Sequence, residues 1–251
     1  MTLVVPARTE PAPDRLWSLL AAEALGSFLF FFVGAGSVVT NDFAAASGAT
    51  GPGLVGVALA HGLALAVLVS ALGAVSGAHF NPAVTFGVWV AGHLSAGRAA
   101  LYVVAQLVGA AVAGFALTWV FIEPNWRPSG AGTPALGAGV DPVAGIAVEA
   151  VLTLLLVTAV FGTAIDRRAP KIGGLAIGLA VAADILMGGP LTGGAMNPAR
   201  WFGPAVATGT FDDWYVWWIG PLIGGGLAAI LYRLAFAERG RADVTPATPE
   251  G

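Results

Sequence analysis

The sequence predicts an all-α membrane protein with six transmembrane helices and two re-entrant half-helices in an inverted repeat. Three observations predict it. Hydrophobic residues make up 57% of the 251 residues and charged residues only 10%, far below the roughly one quarter typical of a soluble domain. Six continuous apolar runs are long enough to cross about 30 Å of hydrocarbon at helical rise. Two further stretches, Ser76–Val84 and Thr192–Arg200, each carry Asn-Pro-Ala after a loop of small residues, opening an apolar run too short to cross. The runs do not alternate polar and apolar residues as the strands of a membrane β-barrel do. A net charge of −3 offers no basic face to nucleic acid, and with no Cys there is neither a disulfide nor a thiolate metal site.

The elements follow in order. Residues 1–15 are polar and Pro-rich and lack a basic segment running into a short apolar core, so a disordered cytoplasmic tail is expected and not a signal peptide. The first repeat, 16–122, holds the spans Leu16–Val39, Leu54–Val75 and Ala99–Ile122, with a half-helix around Pro82–Ala91 after the second span. Residues 123–141, rich in Gly and Pro, form the linker. The second repeat, 142–237, holds Val143–Ile165, Ile172–Gly189 and Trp214–Tyr232, with a half-helix around Pro198–Thr208. Residues 238–251 read as a second disordered cytoplasmic tail. The halves echo one another: Ala22-Glu23-Ala24 answers Val148-Glu149-Ala150, and Gly109-Ala110-Ala111 answers Gly224-Gly225-Gly226. Three spans per half is an odd number, so the second half sits upside down relative to the first.

Asn before Pro is a helix start, because Asn caps the N-terminus and Pro tolerates the first helical position. A half-helix of about ten residues reaches roughly 15 Å, half a bilayer. Each must enter and return on one side, with its non-helical approach buried in protein or lining an aqueous cavity. Nine Arg and Lys residues of the loops and tails fall on the N-terminal side, and only Arg127 and Arg200 on the other. This places both termini in the cytoplasm of an integral protein, expected in the cell (inner) membrane. Small residues at helical spacing, such as Ala58 with Gly62 and Gly174 with Gly178, read as packing seams. Trp214, Trp217 and Trp218 read as an interfacial belt.

The polar residues inside the apolar runs are few and carry the chemistry. Two half-helix N-termini, each worth about half a positive charge, would point at one place near the midplane and repel cations there. Asn81 and Asn197 read both as caps and as donors to the oxygen of a passing water. A water held that way turns its hydrogens outward and breaks the chain along which a proton would hop. Arg200 lies three residues past Asn197, directly after the second box; its guanidinium has donors only and would bind water oxygen while repelling cations. Glu23 and Glu149, at equivalent repeat positions, read as acceptors for the backbone N–H groups of the re-entrant loops rather than as an ion path. No catalytic arrangement, metal site or cofactor is expected.

The paired boxes Asn81-Pro82-Ala83 and Asn197-Pro198-Ala199, with Arg200 behind the second, resemble those of the aquaporin, or major intrinsic protein, family, over about Leu16 to Phe236. The resemblance implies an aquaporin-like fold, a homotetramer with one pore per protomer, and a filter formed by four residues. By position these are His61, twenty before Asn81; Ile185, twelve before Asn197; Gly194, three before Asn197; and Arg200. This set, with Leu186–Pro190 and Gly220–Gly226, is similar to plant vacuolar (tonoplast) aquaporins, whose relatives with the set pass ammonia as well as water. The expected partners are therefore water and small neutral solutes, with ammonia, urea and hydrogen peroxide secondary, in a lipid bilayer. A glycerol or urea facilitator of the same family and an ion-coupled secondary transporter are the alternatives. Trp201 stands where glycerol channels of the family carry Asp, and the linker has no His of the kind found in ammonia-passing relatives. Asp184 reads either as a structural acid or as a group that tunes the filter. His79 and His93 flank the first half-helix, where they either gate with pH or are solvated loop residues.

Overall fold

The computed structural model describes residues 13–236 other than 167 and 171. The first repeat comprises α1 (Pro13–Ala46), α2 (Gly53–Ser76), the half-helix α3 (Pro82–Val90) and α4 (Ala96–Val120). The linker contributes one helical turn, α5 (Glu123–Trp126). The second repeat comprises α6 (Pro142–Val160), α7 (Leu175–Thr192), the half-helix α8 (Pro198–Thr208) and α9 (Val216–Leu231). Both α6 and α9 run on into a π-helical turn, Phe161–Ile165 and Tyr232–Phe236. Among the described residues six helices are long and apolar enough to cross a membrane.

Helix bounds differ from expectation mainly at the ends. The first helix starts at Pro13, inside the stretch read as a tail, and runs on to Ala46. The remainder of that tail and the expected tail 238–251 lie outside the described residues. The fifth span is shifted toward the second box and ends at Thr192, with Pro190 inside it. The residues ahead of Leu175 are turns, and Gly173 has φ +60°, which a helix does not accept.

The two repeats grip each other through matched contacts. Half-helix α3 packs against α9 of the other repeat, and α8 packs against α4. Spans α2 and α7 cross at a reciprocal glycine pair: a Cβ on Gly62 would lie 2.6 Å from the Gly178 carbonyl oxygen, and one on Gly178 would lie 2.2 Å from that of Gly62. The backbones thus approach as closely as small residues permit, which is how helices associate where lipid is as apolar as the side chains. Outward faces carry exposed apolar residues such as Leu63, Val67, Val108 and Leu179, as a lipid-facing surface requires.

One expectation fails. Trp217 does not belong to an interfacial belt: it is 1% exposed and its indole N–H donates to the Thr192 carbonyl at 2.9 Å. Of the three tryptophans read together, Trp214 is the well-exposed one, at 53%.

Candidate functional site

The site is built by the two re-entrant loops. Each leaves its helix through a left-handed glycine, Gly77 after α2 and Gly193 after α7. Each holds further residues at positive φ, Ala78 and Phe80 in the first loop and Gly194 and Met196 in the second. For Phe80 and Met196 such a backbone costs of order 1–3 kcal/mol each and persists only if the surroundings over-determine it.

The glutamates supply that determination. Glu23 on α1 and Glu149 on α6 are both fully buried. Glu23 accepts from the Ser76 hydroxyl at 2.6 Å, the His79 N–H at 3.0 Å, the Phe80 N–H at 2.8 Å and Gln106 Nε2 at 2.8 Å. Glu149 accepts from the Thr192 hydroxyl at 2.7 Å, the Ala195 N–H at 2.9 Å and the Met196 N–H at 2.6 Å. Each carboxylate therefore ties the end of its repeat's second span to the two residues preceding its Asn. Charge-assisted bonds of this kind are about twice as strong as neutral ones.

The loops deliver two caps of nearly identical backbone, Asn81 at φ −157° and Asn197 at φ −156°. The Asn81 side-chain oxygen accepts from the N–H groups of Ala83 and Val84, that of Asn197 from Ala199 and Arg200. Their amide nitrogens cross over: Asn81 Nδ2 donates to the Met196 carbonyl at 2.9 Å, and Asn197 Nδ2 donates to the Phe80 carbonyl at 3.0 Å. An amide nitrogen carries two hydrogens, so each Asn keeps one for another acceptor. Both side chains line one cavity of about 1160 Å³.

That cavity extends from Arg15, His93 and Arg98 at the end bearing the termini, past the two Asn, to His61, Ile185, Gly194 and Arg200. The four residues read from sequence as a filter thus come together, although they lie on α2, α7, the second loop and α8. Arg200 Nε donates to His61 Nε2 at 3.0 Å, and Arg200 Nη1 donates to the Gly132 carbonyl at 2.7 Å. Gly132, in the linker, escaped sequence reading: a backbone carbonyl carries no residue-type signal. Its φ of +79° and the Ala35 carbonyl oxygen, 2.7 Å from a would-be Cβ, are what call for glycine.

The remaining candidates fall behind or below the filter. Asp184 is 2% exposed with Oδ2 unbonded among the described residues, and it is not part of the cavity wall. His79 lines the cavity but is no freely solvated loop residue. Its Nδ1 lies 3.1 Å from Thr85 Oγ1 and its ring meets Tyr102 edge-on. His93 is exposed, its ring 6.3 Å from that of Phe161. Trp201 stacks on Trp217, with ring centroids 5.7 Å apart and planes within 7°.

Comparisons with known proteins bear on the family and the fold. The profile of the family described as "Major intrinsic protein" matches residues 13–232. Aquaporin TIP4-4 of Zea mays is 46% identical over 228 residues, covering 90% of this chain and 89% of that protein. Probable aquaporin TIP3-2 of Arabidopsis thaliana is 45% identical over 229 residues, covering 88% and 84%. The X-ray structure of the aquaglyceroporin from Plasmodium falciparum superposes with a TM-score of 0.77 at 23% identity, covering 88% of this chain and 96% of that one; at that identity it speaks for the fold alone.

Proposed function

The chain belongs to the major intrinsic protein, or aquaporin, family, and from that premise we propose that it is a passive water channel in which Asn81, Asn197 and Arg200 exclude protons and ions. The observation that carries the reading is the exchange of hydrogen bonds between the two Asn caps and the opposing loops inside one cavity. It sets two half-helix N-termini against each other, where a cation is repelled and a neutral dipole is not. The free N–H of each amide faces a passing water oxygen, and that water cannot accept and pass on a proton in line. Arg200, beside His61, Ile185 and Gly194, adds a fixed positive charge at the filter.

Osmotic shrinkage of proteoliposomes tests the reading. Water flux well above that of empty liposomes is expected; flux no faster than empty liposomes overturns it. Ammonia is a proposed second permeant, supported by Ile185, an apolar residue that lines the cavity beside Gly194. An inward ammonium gradient should then alkalinise the lumen faster than in protein-free vesicles, and matched rates remove the claim.

A homotetramer and cytoplasmic termini are part of the same proposal, the latter supported by the loop-charge asymmetry. The cell membrane is the expected site. The likeness to plant relatives favours a vacuolar membrane with the linker lumenal, and fractionation with epitope-tagged termini separates the two.

A further inference from the structure

Each re-entrant loop is also held from behind by one donor on the last span of its own repeat. Tyr102 on α4 donates its hydroxyl to the Ser76 carbonyl at 2.8 Å, and Trp217 on α9 donates its indole N–H to the Thr192 carbonyl at 2.9 Å. Ser76 and Thr192 are the last residues of α2 and α7, where a helix leaves its own carbonyls without partners. The two anchors differ in their backing. Tyr102 stands against His79, a residue of the loop itself. Trp217 lies flat on Trp201, both at most 2% exposed, in a separate apolar cluster with Ala195, Ala205 and Val216. Offset aromatic stacks at this separation are attractive beyond the area they bury.

The position of this cluster matters. Trp201 directly follows Arg200 and Ala195 directly follows Gly194, so the stack abuts the chain immediately behind two filter residues. Gly193 and Gly194 have φ of +79° and +57°. Two consecutive glycines leave the backbone free to move, so the placement of Gly194 depends on what grips the loop on either side. Glu149 grips it on both sides of Gly194, at the Thr192 hydroxyl and at the Ala195 and Met196 N–H groups; Trp217 adds the hold on the Thr192 carbonyl, at the end of α7.

We propose that Trp217, backed by Trp201, is a positioning residue that sets the opening of the filter at Gly194 and so restricts polar solutes of the size of urea and glycerol relative to water. The proposal rests on the channel reading above and deepens it. Loss of the indole N–H frees the Thr192 carbonyl, lets the Gly193-Gly194 segment move outward, and widens the passage facing Ile185 and His61.

The test uses proteoliposomes of the full chain, with water flux from osmotic shrinkage and urea and glycerol flux from re-swelling. Trp217→Phe keeps a ring on Trp201 and deletes the N–H. Tyr102→Phe deletes the matching bond at the other loop and is the control for general loosening. Trp217→Phe is expected to raise the urea-to-water permeability ratio about tenfold, the low end of what pocket size discriminates, while Tyr102→Phe leaves the ratio at its wild-type value. Should Trp217→Phe fail to assemble by size-exclusion chromatography, Trp201→Phe and Trp201→Ala decide, with the ratio expected to rise in that order. An unchanged ratio in Trp217→Phe, an equal rise in Tyr102→Phe, or a flat ratio across the Trp201 pair overturns the proposal. Wild-type water flux at the level of empty liposomes instead sinks the channel reading on which it rests.

Discussion

Arg200 and His61 are joined by one hydrogen bond, Nε to Nε2 at 3.0 Å, and it settles the chemistry of both side chains. A guanidinium only donates, so Nε2 is the acceptor. His61 Nδ1, 2.9 Å from the Val57 carbonyl, then carries the ring hydrogen and donates it there. Both imidazole nitrogens are used, the ring is neutral, and the hydrogen bonding offered at the filter falls to the guanidinium.

Arg200→Val therefore removes the fixed charge and donors together. We expect water flux to persist and proton or cation leak to rise, read as collapse of a pH gradient in dye-loaded proteoliposomes. A leak identical to wild type would count against the barrier role of Arg200.

Gly194→Ala tests the filter from the other wall. A Cβ there would lie 3.3 Å from Ile185 Cα, on a backbone at φ +57° that side-chain-bearing residues rarely adopt. The expected result is a several-fold fall in water flux with the protein still folded. Full flux in a folded variant would mean that Gly194 does not bound the passage.

Glu149→Gln keeps the size but offers one acceptor oxygen where the carboxylate receives three bonds, from Thr192, Ala195 and Met196. At least one buried donor is left without a partner, at about 1–3 kcal/mol. Glu149→Leu strands all three. Thermal unfolding in detergent should show the order wild type, Gln, Leu, and the same series at Glu23 should follow it. A Leu variant as stable as wild type would show that the loops do not depend on the acid.

Asp166 closes the side of the molecule bearing the termini. It accepts from the Tyr232 hydroxyl at 2.7 Å and from the Arg168 guanidinium, which also donates to the Phe236 carbonyl. These bonds hold its carboxyl well below the ordinary aspartate range, the Arg168 bond contributing most. A lowered folded-state pKa means stabilisation present above the unfolded value, about 3.9, and lost as pH falls through the folded value. Hydrogen exchange at Tyr232–Phe236 should thus be insensitive to this group between neutral pH and about pH 5, once the intrinsic rate is divided out. Asp166→Asn should raise it at neutral pH; equal protection in the two proteins would remove the latch.

Much of the site was legible in the residues. Asn before Pro announces a capped helix start wherever it occurs, and a run of ten apolar residues cannot cross a bilayer however it packs. Glu23 and Glu149 stood out because an acid in an apolar run needs a reason. The residues missed share a different property. Gly132 acts through its carbonyl, which every residue has. Trp217 was read as facing the interface because Trp is apolar at one end and polar at the other, a description that fits a buried anchor equally well.

The sequence by itself determined which segments are helical, how many cross, where two stop halfway and that the halves are inverted, because length, capping and the cost of polar groups in hydrocarbon are local properties. Only the tertiary structure decided which faces meet. In lipid both the inward and the outward side of a helix are apolar, so periodicity cannot distinguish Trp217 against Trp201 from a tryptophan facing the membrane. Nor can any spacing along the chain show that Asn81 reaches the Met196 carbonyl, 115 residues away.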